Sequence, residues 1–290
     1  MRTVSRARRH PSRATVRKTS SARWEYLALL CACAFALLPI VWAVSTSFKP
    51  AAEVVNSSAS WIPKHLTFDN YRTVLGQSMV PIYLRNTIIV SLVSVVVTLT
   101  IALPAAYAAA RLPFRGQKAT LFFILVSSMI PGIAVLEPTY YLAVRVGLYD
   151  SFMGLILVYA GWQVPTSVWI LRGFITSIPV EIEEAGRIDG CSRVGTFFRL
   201  VLPMLRPGLG GAFVLAFVYV WNDFLFASTL VSTDSRRMIS VGLYNFLTTT
   251  GVQWGQLTAA VVVSLVPIII LFASLNRLLV SGLTAGSTKG

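Results

Sequence analysis

The sequence is poor in the side chains that most catalytic and metal sites use. It has two histidines, His10 and His65, and three cysteines in 290 residues. Cys31 and Cys33 lie inside one apolar run and Cys191 lies far from them, so the spacing predicts neither a disulfide nor a zinc site. We expect these cysteines to be packing residues. No nucleophile stands at motif spacing from a base, so we expect no catalytic residue, no metal site and no enzymatic activity in this chain.

The sequence also has few charged residues. They make up 12% of the chain, which is about half the share typical of a soluble domain. Hydrophobic residues make up 55%, and the mean hydropathy is +0.70. Length alone would suggest about two soluble domains, but this composition excludes that organisation. We therefore expect an integral membrane protein surrounded by lipid.

Six apolar runs approach or exceed the roughly 20 residues that a helix needs to cross a bilayer. They cover approximately residues 26–46, 87–109, 119–143, 152–171, 208–230 and 257–275. A helix satisfies its backbone groups internally, so each run predicts one transmembrane helix and the fold is predicted to be all-α. A cleaved signal peptide is the alternative for the first run, but this run exceeds the usual length of about 7–15 apolar residues.

The basic residues predict the orientation of these helices. Eight of the 25 precede position 24, and 18 lie in the arm 1–23, the loops 110–118 and 172–207 and the segment that follows residue 275. Basic loops face the cytoplasm, so both termini are predicted to be cytoplasmic. We expect a disordered arm, a six-span domain over 24–280 and a tail over 281–290. The net charge of +14 would also suit nucleic acid, but its concentration beside the first span favours topology, and no nucleic-acid partner is expected.

The connector 172–207 gathers four of the eleven acidic residues into nine positions: Glu181, Glu183, Glu184 and Asp189. An amphipathic loop lying on the membrane is one interpretation of this segment. Four carboxylates argue against it, because anionic headgroups would repel them. The pattern favours a protein partner.

The same connector predicts a helix–turn–helix. The stretch Ser-Ile-Pro at 177–179 is a helix-start signal, and Glu183 and Arg187 have the spacing of a helical ion pair. Asp-Gly at 189–190 predicts a turn, and Ser192 is suited to cap a second helix. The apolar residues of that second helix recur at helical spacing, namely Val194, Phe197, Phe198, Val201 and Leu205.

Residues 179–207, PVEIEEAGRIDGCSRVGTFFRLVLPMLRP, resemble the EAA loop of permease subunits from ABC importers. Gly186 and Cys191 depart from the usual alanines of that pattern, but both remain small. The residues that match it are Glu184, Ala185, Asp189, Gly190, Leu202 and Pro203.

Other segments are similar to the sugar-importer branch of the same family, and most of all to the smaller six-span subunit of maltose-type permeases. They are residues 47–49, 69–71, 106–108, 114–116 and 221–224 and the terminal Gly-Ser-Thr-Lys-Gly. The resemblance implies a type I ABC importer permease fold, also called MetI-like, in the inner membrane of a bacterium. It implies half of a translocation pathway for a sugar or oligosaccharide.

The resemblance also implies partners. These are a second permease subunit, two copies of a cytoplasmic ABC ATPase, and an extracytoplasmic solute-binding protein that docks on loops 47–83 and 231–256. ATP and magnesium would be bound by the ATPases, so no cofactor is expected on this chain. The terminal Gly-Ser-Thr-Lys-Gly is no phosphate loop, because that motif needs Gly-Lys-Ser/Thr in this order.

Within this scheme the EAA loop docks on the ATPase as a mechanical joint. Glu184 would face basic or donor groups of the ATPase, and Ala185 and Gly186 would permit close approach. Asp189 and Gly190 would shape the turn. The remaining residues assigned to this joint are Glu181, Glu183, Pro203 and, in the tail, Lys289.

A polar or aromatic residue in a span is a candidate for the pathway. The candidates are Glu137, Gln163, Trp221, Asn222 and Asp223. For the two acids, lining a polar pathway and bonding to a neighbouring helix are equally compatible with the sequence. Gln163 suits a hydrogen bond to substrate or an interhelical bond, and Trp221 suits stacking on a sugar or packing at an interface.

Three alternatives remain at this point. An ion-coupled secondary carrier predicts acids near the membrane midplane and an internal repeat, and neither is evident. A membrane-embedded enzyme requires a catalytic set that the sequence lacks. An importer of the same family can carry glycerol phosphate, a polyol or another small solute.

Overall fold

The structure is a computed structural model that describes residues 21–56, 60–248 and 251–285. The helices in this part of the chain are α1 (Ser21–Ser47), α2 (Ala51–Asn56), α3 (Asp69–Gly76), α4 (Val80–Arg111), α5 (Gln117–Ser127), α6 (Gly132–Arg145), α7 (Phe152–Ser177), α8 (Val180–Ile188), α9 (Arg193–Thr196), α10 (Leu202–Met204), α11 (Arg206–Asn222), α12 (Leu225–Leu230), α13 (Ile239–Gly242) and α14 (Trp254–Ala285). A π-helical turn covers Phe197–Val201, 3-10 turns cover Asp234–Arg236 and Leu243–Phe246, and a hairpin pairs β1 (Leu247–Thr248) with β2 (Gly251–Val252).

Four helices are long and apolar enough to cross a membrane without a break, namely α1, α4, α7 and α14. They contain the first, second, fourth and sixth predicted spans, and all four extend beyond the apolar runs. Helix α4 has 32 residues, which corresponds to about 48 Å at 1.5 Å per residue. Residues 1–20 of the predicted arm lie outside the described residues. Lys289 of the predicted tail lies outside them as well.

The third predicted span, residues 119–143, is not one straight helix. It is divided into α5 and α6, whose axes differ by 92°. Pro131 precedes α6 in an extended conformation, and without an N–H it cannot continue the preceding helix. A Cβ on the next residue, Gly132, would lie 3.6 Å from Leu225, so the bend packs closely against a later element. Together the two helices are long and apolar enough for one broken span or for a re-entrant loop.

The fifth predicted span, residues 208–230, is also not continuous. Helix α11 ends at Asn222 and α12 begins at Leu225. The carboxylate of Asp223 accepts hydrogen bonds from the N–H groups of Phe226 and Ala227 at 3.0 and 3.1 Å, and such a cap starts a new helix. On its other side α11 meets the end of the preceding helical segment at a bend of 72°.

Helices α4 and α7 form the centre of the bundle, and α11 and α14 pack against them. The buried residues of α4 include many small ones, such as Ser91, Ser94, Thr98, Ala102 and Ala106. Small side chains let membrane helices approach closely, which increases van der Waals contact between them. Helix α1 packs on α14, and its Cys31 and Cys33 are exposed rather than packed as expected.

The loop that follows α12 is attached to the first turns of α4. The bonds run from the Tyr83 hydroxyl to Asp234 Oδ1 (2.6 Å), from Asn86 Nδ2 to the carbonyls of Ser235 and Arg237 (2.9 and 3.0 Å), and from the Ile239 N–H to Thr87 Oγ1 (2.8 Å). We call Tyr83, Asn86 and Thr87 the loop anchor, and all three are buried. The loop leads into the β1–β2 hairpin, which the all-α prediction did not include.

Candidate functional site

The connector between α7 and α11 folds as the predicted helix–turn–helix. Helix α8 is followed by Gly190, whose φ of +84° is a left-handed value that glycine adopts at little cost. The Ser192 hydroxyl oxygen accepts a hydrogen bond from the Gly195 N–H at 3.1 Å, so the predicted cap is confirmed. The predicted helix start at 177–179 is one residue too early, because α7 continues through Ser177 and Pro179 precedes α8.

The four carboxylates of the connector have different surroundings. Glu181, Glu184 and Asp189 are exposed, whereas Glu183 is 1% exposed. The predicted ion pair between Glu183 and Arg187 is wrong, because both oxygens of Glu183 are bonded to residues of α4.

The buried Glu183 and the partly buried Arg111 and Tyr107 form a trio that we call the inner clamp. Arg111 Nε donates to Glu183 Oε1 at 2.5 Å, and the Tyr107 hydroxyl donates to Oε2 at 2.7 Å. Arg111 Nη2 also donates to the carbonyl of Ile178, just before α8, at 2.7 Å. Neither Arg111 nor Tyr107 was predicted as a site residue. The available signal was a lone arginine at the end of an apolar span, which needs a partner if it is buried.

Gly186 brings the two halves of the connector together. It is buried, and a Cβ at this position would lie 2.5 Å from Leu200 Cδ1 and 3.7 Å from Thr196 Oγ1. The close approach expected between Gly186 and a partner is therefore an internal contact. The neighbouring Ala185 is exposed and can meet a partner.

The apolar stripe predicted for the second helix is split by the π-helical turn. Val201 and Leu205 are fully buried, whereas Val194 and Phe198 are 66% and 58% exposed. A π turn has a wider hydrogen-bond register than the α-helix and rotates the following residues, so one stripe cannot face one side throughout. We give the name connector face to seven of the exposed residues of this region, namely Glu181, Glu184, Ala185, Ile188, Asp189, Val194 and Phe198. Pro203 is exposed nearby in α10.

Asp223 lies at the break between α11 and α12, at the end of a core helix. In addition to capping α12, its Oδ2 accepts a hydrogen bond from the Tyr159 hydroxyl of α7 at 2.8 Å. Bonding to a neighbouring helix was one of the two predicted roles. The adjacent Asn222 is exposed, and its amide donates to the Val218 carbonyl of its own helix at 2.8 Å.

Trp221 is not available to stack on a sugar. It is 3% exposed, and its ring lies against Phe217 with a centroid distance of 5.3 Å. The prediction of a pathway role for Trp221 is therefore corrected to a packing role, because the helix directs this side chain into the core cluster with Val95 and Ala260.

Gln163 and Glu137 occupy different environments. Gln163 is 7% exposed in the middle of α7, and its amide has no hydrogen-bond partner among the described residues. Glu137 is exposed on α6 and lines an open pocket of about 310 Å³ with Ile133, Leu136 and Thr229. Both side chains therefore have hydrogen-bonding capacity that these contacts leave unused.

Asp150, between α6 and α7, fixes the start of the loop after α12. Its Oδ1 accepts from the N–H groups of Ser232 and Thr233 at 3.1 and 3.0 Å, and Oδ2 accepts from the Thr233 hydroxyl at 2.6 Å. Arg236 Nη1 lies 3.0 Å from the same carboxylate. Burial raises the pKa of Asp150, but the hydrogen bonds and the nearby arginine together hold it below its ordinary value.

This pKa shift predicts a dependence on pH. A carboxyl group with a lowered pKa in the folded state stabilises that state above its unfolded value, 3.8, and this contribution is lost as the pH falls through the folded pKa. We expect wild type to have a higher melting temperature than Asp150→Asn at neutral pH, and the difference to shrink below about pH 4. Asp69→Asn at an exposed site is the control. A difference that does not change with pH would contradict the prediction.

Four helices long enough to cross a membrane, two bent helix pairs that can each supply a further span, and a connector with exposed carboxylates before α11 are the features of a multi-pass membrane protein. The chain belongs to the family of binding-protein-dependent transport system inner membrane components, whose sequence profile matches residues 99–285. This match includes both the inner clamp and the connector.

Several curated relatives are similar over most of their length. The inner membrane ABC transporter permease protein YcjP of Escherichia coli is 34% identical over 96% of this chain and 100% of its own. The trehalose transport system permease protein SugB of Mycobacterium tuberculosis is 33% identical over 88% of this chain and 93% of its own. The maltodextrin transport system permease protein MdxG of Bacillus subtilis is 33% identical over 88% of this chain and 91% of its own.

A solved structure confirms the predicted fold. A chain in the crystal structure of a bacterial ABC transporter involved in the import of the acidic polysaccharide alginate superposes with a TM-score of 0.77. The superposition covers 91% of this chain and 99% of that chain at 22% sequence identity. The fold is that of an ABC importer permease.

Proposed function

We propose that this chain forms half of the transmembrane pathway of an ABC importer that takes up a carbohydrate. The observation that carries this proposal is the similarity, over most of the chain, to permeases named for trehalose and maltodextrin. A relative named for diacetylchitobiose uptake, DasC of Streptomyces coelicolor, is 32% identical over 88% of the chain and supports the same class of cargo. A second permease subunit would complete the pathway.

The orientation proposed places both termini and the connector in the cytoplasm. The distribution of basic residues supports this orientation, since 18 of 25 lie in the segments assigned to the cytoplasm. Loops 47–83 and 231–256 would then face outward, where an external solute-binding protein docks. The loop anchor supports this assignment, because a docking surface requires a loop of defined conformation.

The connector face would bind one of two cytoplasmic ATPase copies. Its exposed carboxylates, Glu181 and Glu184, would pair with basic groups of the ATPase, and Ile188 and Phe198 would bury their apolar surface. ATP and magnesium would be held by the ATPases, which supply the energy of nucleotide binding and hydrolysis. Coupling of ATP hydrolysis to transport requires a pathway with two states, and the ligands at its two ends must each favour one of these states.

Within the membrane, Gln163 and Glu137 are the residues proposed to meet the cargo. The unpartnered amide of Gln163 can donate to and accept from sugar hydroxyls, and the carboxylate of Glu137 can accept from them. Asp223 is proposed to act through the shape of the α11–α12 break, because its carboxylate is already bonded.

Assembly tests this function. A variant carrying Glu184→Lys and Gly190→Leu reverses one charge of the connector face and forces a side chain onto a left-handed turn. We expect the ATPase to co-purify with wild type and with the control Thr100→Ala, an exposed position of α4, and to be lost from the double variant. Undiminished assembly and transport by the double variant would refute the proposed docking.

Transport tests the energy source and the cargo. In vesicles holding the assembled importer, uptake of trehalose or maltodextrin should continue with ATP after ion gradients are collapsed. Loss of uptake under that condition would favour an ion-coupled carrier instead. Thermal-shift screening of the cognate solute-binding protein against sugars, glycerol phosphate and polyols would identify the cargo class.

A further inference from the structure

We infer that α4 and the connector move as one rigid unit, held together by the inner clamp, and that this unit links the ATPase to the opposite side of the membrane. Arg111, Tyr107 and Glu183 are then positioning residues for coupling. The inference rests on the proposed function, and it assigns to Glu183 a role distinct from that of its exposed neighbour Glu184.

The inner clamp binds the connector to α4 at several points. Glu183 is bonded through both carboxylate oxygens, and Arg111 reaches the backbone of Ile178 ahead of α8. The side chains of Arg111 and Glu183 are 10% and 1% exposed. Where little water reaches two opposite charges, their attraction is strong if the geometry is good, and their separation costs free energy. Helix α8 therefore cannot tilt independently of α4 without separating this pair.

The connector itself is one body. Gly186 of α8 fits against Leu200 of the second half without room for a Cβ, so the two halves are interlocked. The ring of Tyr107 contacts Phe197 edge-to-face at a centroid distance of 4.8 Å. The clamp therefore touches both halves of the connector, and displacement of either half is transmitted to α4.

Helix α4 leads without a break to the other side of the bundle. It runs from Val80 to Arg111, whereas the third and fifth spans are each interrupted. At its first turns the loop anchor binds the loop after α12, with Tyr83, Asn86 and Thr87 bonded to Asp234, Ser235, Arg237 and Ile239. Displacement at the inner clamp therefore reaches a loop about 30–40 Å away along the helix, at 1.5 Å per residue.

This arrangement gives a physical path for coupling that can be tested at its two ends. Coupling between distant sites requires an element that both sites bias. Helix α4 meets this requirement, because it bonds directly to the ATPase-facing connector at one end and to the outward loop at the other.

The test uses the full importer with its ATPases in lipid nanodiscs. The three cysteines are replaced by serine, and Ser235→Cys in the loop carries an environment-sensitive fluorophore. Addition of ATP, magnesium and vanadate traps the nucleotide state on the cytoplasmic side. We expect the fluorescence of the wild type to change. Glu183→Gln, Tyr107→Phe and Thr87→Val are expected to retain the ATPase, but their fluorescence change should be smaller by a factor of about five or more. Thr100→Ala on the exposed side of the same helix is expected to match wild type.

Two results would overturn the inference. One is a full fluorescence response in the variants while the ATPase is bound. The other is loss of the ATPase from Glu183→Gln and Tyr107→Phe to the extent expected of the double variant Glu184→Lys with Gly190→Leu, which would make the clamp part of the docking surface. If Glu183→Gln does not fold, the fluorescence of Tyr107→Phe and Thr87→Val tests the inference, because both variants keep the ion pair between Arg111 and Glu183. A wild-type chain that retains no ATPase would instead refute the proposed function, and the inference with it.

Discussion

Replacement of Arg111 by methionine is expected to destabilise the protein by about 3–5 kcal/mol, which is typical when one member of a buried ion pair is removed. Methionine has a similar length, so it leaves little cavity, but Glu183 is then buried at 1% exposure without its cation. The carbonyl of Ile178 also loses its hydrogen bond from Arg111. The measurement is thermal or denaturant unfolding of the purified chain in detergent.

The control for this effect is Arg115→Met. Arg115 is exposed in the loop after α4, and removal of an exposed charge changes stability by only a few tenths of a kcal/mol. The double variant Arg111→Met with Glu183→Gln should be more stable than Arg111→Met alone, because the uncompensated charge is gone while the Tyr107 hydroxyl keeps an acceptor. Equal stability of Arg111→Met and wild type would show that the buried pair does not form.

Replacement of Asp223 by alanine is expected to cost about 1.5–5 kcal/mol of stability and to change the break between α11 and α12. The variant loses the cap on Phe226 and Ala227, a loss of about 0.5–2 kcal/mol. It also leaves the hydroxyl of Tyr159, a fully buried residue, without an acceptor, at about 1–3 kcal/mol. Unfolding in detergent measures the total, and uptake in vesicles measures the effect on transport.

The adjacent Asn222→Ala serves as the control, because its amide is exposed and bonds only within its own helix. Tyr159→Phe isolates the interhelical bond from the cap. If Asp223→Ala and Tyr159→Phe in combination cost the sum of the two single effects, the two side chains do not interact, and the bond between α7 and the break would be refuted.

The connector shows how far local sequence patterns reach. Ser192 and Gly190 were predicted as a cap and a turn, and both are confirmed. Their conformations depend on groups only a few residues away, so the sequence beside them contains the needed information. Glu183 shows the limit of the same reasoning. The i, i+4 pattern identified Arg187 as its partner, but the better partners, Arg111 and Tyr107, come from a different helix.

The spans show the same limit. The bend at Pro131 was not predicted from its proline, because proline is tolerated in membrane helices and a bend forms only where neighbouring residues accommodate it. Here Leu225 and Phe226 pack against the bend. The burial of Trp221 likewise depends on which side of α11 faces the core.

By itself the sequence determined that this protein is a set of apolar helices, with most basic residues in a few connecting segments and an acidic helix–turn–helix between two spans. These features follow from composition and from contacts within a few residues. Only the tertiary structure decided where two spans break, which carboxylate is buried and which helix holds the connector. Those features depend on pairs such as Arg111 with Glu183 and Tyr83 with Asp234, which are 72 and 151 residues apart. Their side chains meet only when the helices pack.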